Sequence, residues 1–209
     1  MHKPYIANFR EFFMYQPAED SLLLEKYSEE LSKGNVLDMG TGLGIQAIAA
    51  AKNRTVTNII ATDIDKETIS YCKRNIKNKK IKFIISDLFS SIGKFDMSEI
   101  NGKISEHPKK SQFFDTIIFN PPYLPEEKDL KIKDKALYGG KQGIELIERF
   151  FLQARKYLNK NGIVLMVFSS ITGKSKVNNI IKKSGFKFKE LDKQHIFFED
   201  IYAYEIKKR

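Results

Sequence analysis

Apolar residues along this chain gather into short continuous runs, and the stretches between them carry a helical period. Residues 35–39, 58–62, 82–85, 114–119 and 163–168 are strand-length runs rich in Ile, Val and Phe, as expected of strands buried on both faces. Residues 45–51, 66–77, 143–158 and 174–184 read as helices. In 143–158, Ile144, Ile147, Phe150, Phe151, Ala154 and Leu158 recur near the helical period, with Gly162 expected to close that helix and Gly185 the next. Residues 186–191 and 196–206 are two last strands with no helix between them, which predicts an antiparallel hairpin. Ahead of the first strand, residues 18–31 form a further helix with Leu22, Leu23 and Tyr27 on its apolar face; the segment 1–34 is expected to cover the ligand cleft as a lid.

Alternation of strand and helix predicts an α/β fold: a seven-stranded, mostly parallel sheet covered on both faces, with the hairpin at its C-terminal end. Such sheets bind ligands at the carboxyl ends of their strands. The chain has 209 residues, 42% of them hydrophobic, which is enough for one sizeable core, so 1–209 reads as a single domain. Residues 90–112 break the pattern. They are polar, contain Gly93, Gly102 and Pro108, and read as an elongated connection whose distal part lies away from the carboxyl edge.

No apolar run approaches the ~18 residues that cross a membrane, and Met1-His2-Lys3-Pro4-Tyr5 lacks the apolar core of a signal peptide. The single cysteine, Cys72, precludes an internal disulfide, and a reducing cytoplasm fits. One cysteine and three scattered histidines make no metal-site pattern. A net charge of +10 suits an acidic partner such as RNA, but the lysines run from Lys3 to Lys208 without a dense tract, which is the pattern of a solvated surface.

The first strand runs into Asp38-Met39-Gly40-Thr41-Gly42-Leu43-Gly44 and then a helix. Gly40 and Gly42 allow close backbone approach to a ligand, and Gly44 allows tight helix packing. The turn alone could hold a dinucleotide. Two acids tilt it toward S-adenosylmethionine. Asp38 ends the first strand, where a carboxylate would repel a pyrophosphate but can reach an ammonium group; its alternative role is to cap the following turn. Asp63 ends the second strand, where it can accept both hydroxyls of a ribose. Asp65 reads instead as the cap of the helix that starts at Lys66. After the third strand, Asp87 can accept from an adenine amino group while Leu88 packs on the ring and offers a backbone donor.

Directly after the fourth strand stands Asn120-Pro121-Pro122-Tyr123. The two prolines remove backbone donors and stiffen the loop. What remains are acceptors, the Asn120 side-chain oxygen and the Pro121 carbonyl, which match the two N–H groups of a planar NH2; Tyr123 adds a flat face for stacking. The loop does not distinguish a glutamine amide from adenine N6 or guanine N2.

Longer stretches narrow the choice. Tyr15-Gln16-Pro17-Ala18-Glu19-Asp20-Ser21 followed by Leu22-Leu23-Leu24, then Ser86-Asp87-Leu88-Phe89, Asn120-Pro121-Pro122-Tyr123-Leu124-Pro125 and Tyr138-Gly139-Gly140-Lys141-Gln142-Gly143, resemble the HemK-type protein-glutamine methyltransferases, in their small archaeal and eukaryotic branch. The resemblance implies the Rossmann-like fold of class I S-adenosylmethionine-dependent methyltransferases. It implies N-methylation of the glutamine amide in the Gly-Gly-Gln tip of class 1 translation release factors. It assigns Ser21, Asp38, Gly40, Asp63, Asp87 and Leu88 to the cofactor, and Asn120, Pro121 and Tyr123, with Pro122 in the same loop, to the amide. It also implies a small zinc-binding activator subunit, for which the strand at 81–85 is the expected docking edge. The long 90–112 connection departs from the family pattern.

Two other readings compete. A nucleic-acid N6-adenine methyltransferase shares the Asn120 loop and would place a coherent basic surface around the cleft. A non-catalytic S-adenosylmethionine binder would have no use for Asn120 and Tyr123.

Overall fold

The computed structural model describes residues 19–92, 113–122, 143–196 and 198–209. The strands are β1 (Gly34–Met39), β2 (Val56–Asp63), β3 (Ile81–Ile85), β4 (Phe114–Phe119), β5 (Leu158–Ser169), β6 (Phe186–Ile196) and β7 (Glu199–Lys208). The helices are α1 (Glu19–Leu31), α2 (Ile45–Lys52), α3 (Lys66–Asn75), α4 (Glu145–Tyr157) and α5 (Lys174–Lys183). All seven strands form one sheet in the order β3-β2-β1-β4-β5-β7-β6. Only β7 runs against its neighbours, pairing antiparallel with β5 and β6. The α/β sheet and its C-terminal hairpin are therefore as expected.

Side chains alternate between two buried faces, which is why the strands read as continuous apolar runs. Leu37, Met39, Ile117, Phe119, Val164 and Met166 point into one core, which α4 and α5 cover. Val36, Ile59, Ile118, Leu165 and Val167 point into the other, which α1, α2 and α3 cover. On α4 the buried positions are Ile147, Phe150, Phe151 and Ala154, one helical stripe. Phe150 stacks on Phe119 with ring centroids 4.3 Å apart. Burying such a ring is worth about 1.5–3 kcal/mol.

The structure corrects several sequence-based expectations. Leu22 is 56% exposed; the buried face of α1 is Leu23, Leu24 and Tyr27, which packs on α2 and the sheet. The helix expected to continue to Leu158 ends at Tyr157, and Leu158 is already extended. Gly162 therefore does not close it. A Cβ there would meet Leu158 at 2.8 Å and the Phe114 carbonyl at 2.9 Å, so close packing of β5 on β4 requires glycine. α3 stops at Asn75, and β6 runs on to Ile196 because backbone pairing with β7 carries it through polar residues. Tyr123 and the segments 1–18, 93–112 and 123–142 lie outside the described residues.

The two edges of the sheet differ. β6 exposes Lys187, Lys189 and Lys193, charges that discourage another strand from pairing. β3 is the other edge, as expected, and Ile85 on it is 45% exposed. The hydrogen bonds from Ile59 N–H to the Lys80 carbonyl and from Ser86 N–H to the Asp63 carbonyl fix its phase. Lys82 and Ile84 direct their backbone groups toward β2, whereas Phe83 and Ile85 direct theirs to the free edge.

Candidate active site

Four neighbouring strands deliver polar side chains to one edge. Asp38 lies one residue before the end of β1, Asp63 ends β2, Asp87 follows β3 and Asn120 follows β4. Met39, Thr62 and Phe119 are level in register, so these residues stand side by side at the carboxyl ends. Parallel strands lie about 4.8 Å apart.

The turn after β1 supplies the cradle. Gly40 and Gly42 have φ of +69° and +51°, and a Cβ at either would meet nothing within 4 Å. A backbone conformation that favours glycine and open space thus coincide where a ligand would lie. Gly44 differs: a Cβ there would stand 2.4 Å from Ile76, so this glycine serves helix packing.

Asp38 is 1% exposed. Its Oδ2 accepts from Thr41 Oγ1 at 2.6 Å and from the Ala47 N–H at 3.1 Å, so this oxygen caps the turn, the alternative role foreseen for it. Burial pushes its pKa up to about 7 against the opposing pull of those bonds, and the Asp63 charge adds to the rise. A cationic ligand group would offset that cost. Asp63 accepts from the N–H groups of Gly42 and Asp65, each at 3.0 Å, and burial raises its pKa as well. Asp65 caps α3, as expected, accepting from the N–H groups of Glu67 and Thr68.

Asp87 is held from outside the motif: Arg149 of α4 reaches its two oxygens at 3.0 and 2.8 Å. Leu88 has φ +46°, the one positive value at a non-glycine among the described residues. Ser86 Oγ donates to the Leu88 carbonyl at 2.7 Å and accepts from the Ser91 N–H, which stabilises the turn. The Leu88 side chain is buried in the core with Phe89.

Asn120 is the most informative residue. Its Nδ2 donates to Ser21 Oγ at 3.1 Å, and Gln46 Nε2 donates to the Ser21 carbonyl at 2.8 Å. The first turn of α1 thereby orients the Asn120 amide. Its Oδ1 is buried and has no hydrogen-bond partner among the described residues. A buried acceptor without a partner costs about 1–3 kcal/mol. Pro121 is buried beside it and Pro122 half-buried.

The structure thus brings together Ser21, Asp38, Gly40, Gly42, Asp63, Asp87 and Asn120. Sequence reasoning missed Arg149, Gln46 and Thr41. Thr41 was the accessible one, three residues after Asp38 in a turn. The Arg149–Asp87 pair spans 62 residues and has no local signal. The glycine cradle, the buried acids and the partnerless Asn120 oxygen together fit a nucleoside ligand with a cationic tail.

A family model described as "Methyltransferase small domain" matches residues 18–197. A relative from Methanocaldococcus jannaschii, provisionally named as a protein N5-glutamine methyltransferase, is 36% identical over 193 residues, 90% of this chain and 88% of that protein. The release factor glutamine methyltransferase of Streptococcus pneumoniae is 27% identical over 189 residues, 79% of this chain; the chain spans only 61% of that protein's length. Among solved structures, the E. cuniculi Mtq2–Trm112 complex, which methylates the eRF1 termination factor, aligns with a TM-score of 0.68 at 23% identity over 94% of this chain and 99% of that one.

Proposed function

The chain belongs to the methyltransferase small domain family, and from that premise we propose that it methylates the side-chain amide nitrogen of the glutamine in a Gly-Gly-Gln tip of a class 1 translation release factor, in the cytoplasm. The observation that carries this reading is the buried Asn120 Oδ1 without a partner. An incoming amide N–H removes the cost of that state.

S-adenosylmethionine supplies an electrophilic methyl group on a sulfonium. Asp63 would accept the ribose hydroxyls, Asp87 the adenine amino group, and Asp38 the ammonium. Ser21 sets the Asn120 amide so that Oδ1 faces the acceptor. Asn120 Oδ1 and the Pro121 carbonyl take the two N–H groups of the glutamine amide, and Tyr123 gives its ring as a stacking face. This would position the nitrogen for attack on the methyl group, a proximity effect of about 7–11 kcal/mol in the best cases. Transfer of the methyl group, with the thioether as the leaving group, would put positive charge on the nitrogen. The bonds to Asn120 and Pro121 strengthen with it, so they stabilise the transition state more than the ground state. The proton then leaves to water.

The named relatives favour glutamine over adenine as acceptor. Among the described residues, the cations Arg155, Lys160, Lys208 and Arg209 lie at the opposite edge of the sheet from Asn120. The test is transfer of labelled methyl to purified release factor, to its Gln→Ala tip variant, and to bulk RNA. Label on the wild-type factor alone is expected. Label on RNA, or equal label on the Gln→Ala factor, overturns the reading.

We also assign the free edge of β3 to a small activator subunit, zinc-binding by the resemblance, because Ile85 is exposed there and the outward backbone groups are those of Phe83 and Ile85. Proline at Lys82 is the wrong probe, since that N–H faces β2. Ile85→Pro removes an outward donor instead and is expected to abolish co-purification with the activator while S-adenosylmethionine binding persists. Full activator binding to this variant places docking elsewhere.

A further inference from the structure

At the amino edge of the sheet, on the far side from Asn120, lies an open pocket of about 560 Å³ lined by Phe113, Arg155, Leu158–Asn161, Lys208 and Arg209. It forms because β5 and β4 fall out of register. Leu158 pairs with Phe114 and Ile163 with Thr116, so residues 159–161 project as a wall. The opposite wall is the end of β7, and α4 contributes its last turn.

The chemistry of the lining is unusual for a solvated surface. Arg155, Lys160, Lys208 and Arg209 make no ion pair among the described residues. Asp115 on β4 is already engaged, accepting from the Asn35 N–H at 2.9 Å and from Asn159 Nδ2 at 2.6 Å. Lys208 Nζ donates to the Leu158 carbonyl, and Arg155 donates to the Gly185 carbonyl at 2.8 Å. The two cations are thus anchored by neutral oxygens, not neutralised. Burial lowers the Lys208 pKa and the Arg155 charge lowers it further. A helix end explains Arg155, which complements the dipole of α4, but it does not explain Lys160, Lys208 and Arg209. Phe113 stands at the rim, 40% exposed although it directly precedes a buried strand.

We propose that this pocket binds single-stranded RNA, with the cations on phosphodiester oxygens and Phe113 stacked on a base. Cations alone would serve any polyanion. An exposed aromatic ring beside them is what distinguishes a nucleotide from an acidic peptide. The site lies roughly 20 Å from Asn120, the length of β4. It therefore holds the enzyme on an RNA-bearing body without occupying the cleft, and it stands independently of the glutamine assignment.

The test is fluorescence anisotropy of a short labelled single-stranded RNA on the full chain, with inorganic pyrophosphate and a polyglutamate peptide as competitors. Lys160→Glu with Arg209→Glu is expected to weaken RNA binding at least tenfold and to flatten the log–log salt slope by about 0.7 for each cation lost. Phe113→Ser is expected to weaken RNA binding about tenfold and leave competition by pyrophosphate unchanged. Unaltered S-adenosylmethionine affinity and melting temperature in each variant exclude misfolding; should Phe113→Ser fail that control, Phe113→Leu replaces it, with the same expectation. RNA affinity unchanged by the charge reversals overturns the proposal. So does polyglutamate competing as well as unlabelled RNA, or a Phe113 variant that binds RNA like wild type.

Discussion

The carboxyl and amino edges of the sheet solve opposite problems. At the carboxyl edge, Asp38 and Asp63 are drawn into turns by Thr41, Ala47, Gly42 and Asp65, and both have raised pKa values because they are desolvated. At the amino edge, Arg155, Lys160, Lys208 and Arg209 surround an open pocket and lack acid partners among the described residues. Helix polarity contributes to both. Helices that return against parallel strands begin at the carboxyl edge and end at the amino edge, so a helix with an acidic first turn and a basic last turn segregates the two charges. α4 shows this with Glu145 and Glu148 at one end and Arg155 and Lys156 at the other. What helix dipoles do not explain is the partnerless Asn120 oxygen at one edge and the unpaired cations of β5 and β7 at the other.

Three changes at the carboxyl edge sharpen this contrast. Asp63→Ala removes the acceptor proposed for both ribose hydroxyls and is expected to weaken S-adenosylmethionine binding by about 1.5–3 kcal/mol, the value of charge-assisted bonds. Calorimetry on the folded variant checks it, and unchanged affinity removes Asp63 from the site.

The next effect is on pH dependence. Free Asp38 titrates near 7 because burial disfavours its charge. A bound ammonium favours the carboxylate, so below about pH 7 binding must release a proton and affinity should fall about tenfold for each further pH unit. Asp63, raised by burial too, acts in the same direction. A dissociation constant that stays flat from pH 8 to 5.5 means that the ligand does not meet Asp38.

The smallest expected effect comes from Arg149→Gln. Its side chain and that of Asp87 are 53% and 46% exposed, so solvent screens the pair and its loss is worth about 0.2–1 kcal/mol. A few-fold loss of S-adenosylmethionine affinity is expected, and little loss for an analogue lacking the adenine amino group. Equal losses for the two ligands would show that Arg149 supports the fold and not the adenine contact.

The mostly parallel sheet covered on both faces and its hairpin were legible because strands buried on both faces are written as uninterrupted apolar runs; the strand order was not written in those runs. Legibility stopped where pairing or packing overrides composition. Asp192 to Ile196 extend β6 although they are mostly polar, because β7 supplies hydrogen bonds. Among Leu22, Leu23 and Leu24, periodicity cannot choose the buried pair; contact with α2 and the sheet does. The site was legible as motifs at strand ends, but its supports were not. Asn120 and Ser21 are 99 residues apart, and nothing near either residue announces that one orients the other.

The central claim rests on Asn120 and is best tested by measuring single-turnover methyl transfer to release factor alongside S-adenosylmethionine affinity in the Asn120→Ala enzyme. The expected result is a transfer rate lower by at least about 10²-fold, the usual consequence of losing one transition-state hydrogen bond. S-adenosylmethionine affinity should stay within a few-fold of wild type, because the proposed cofactor contacts are Asp38, Asp63 and Asp87. A transfer rate within a few-fold of wild type would contradict the account and remove this loop from the mechanism.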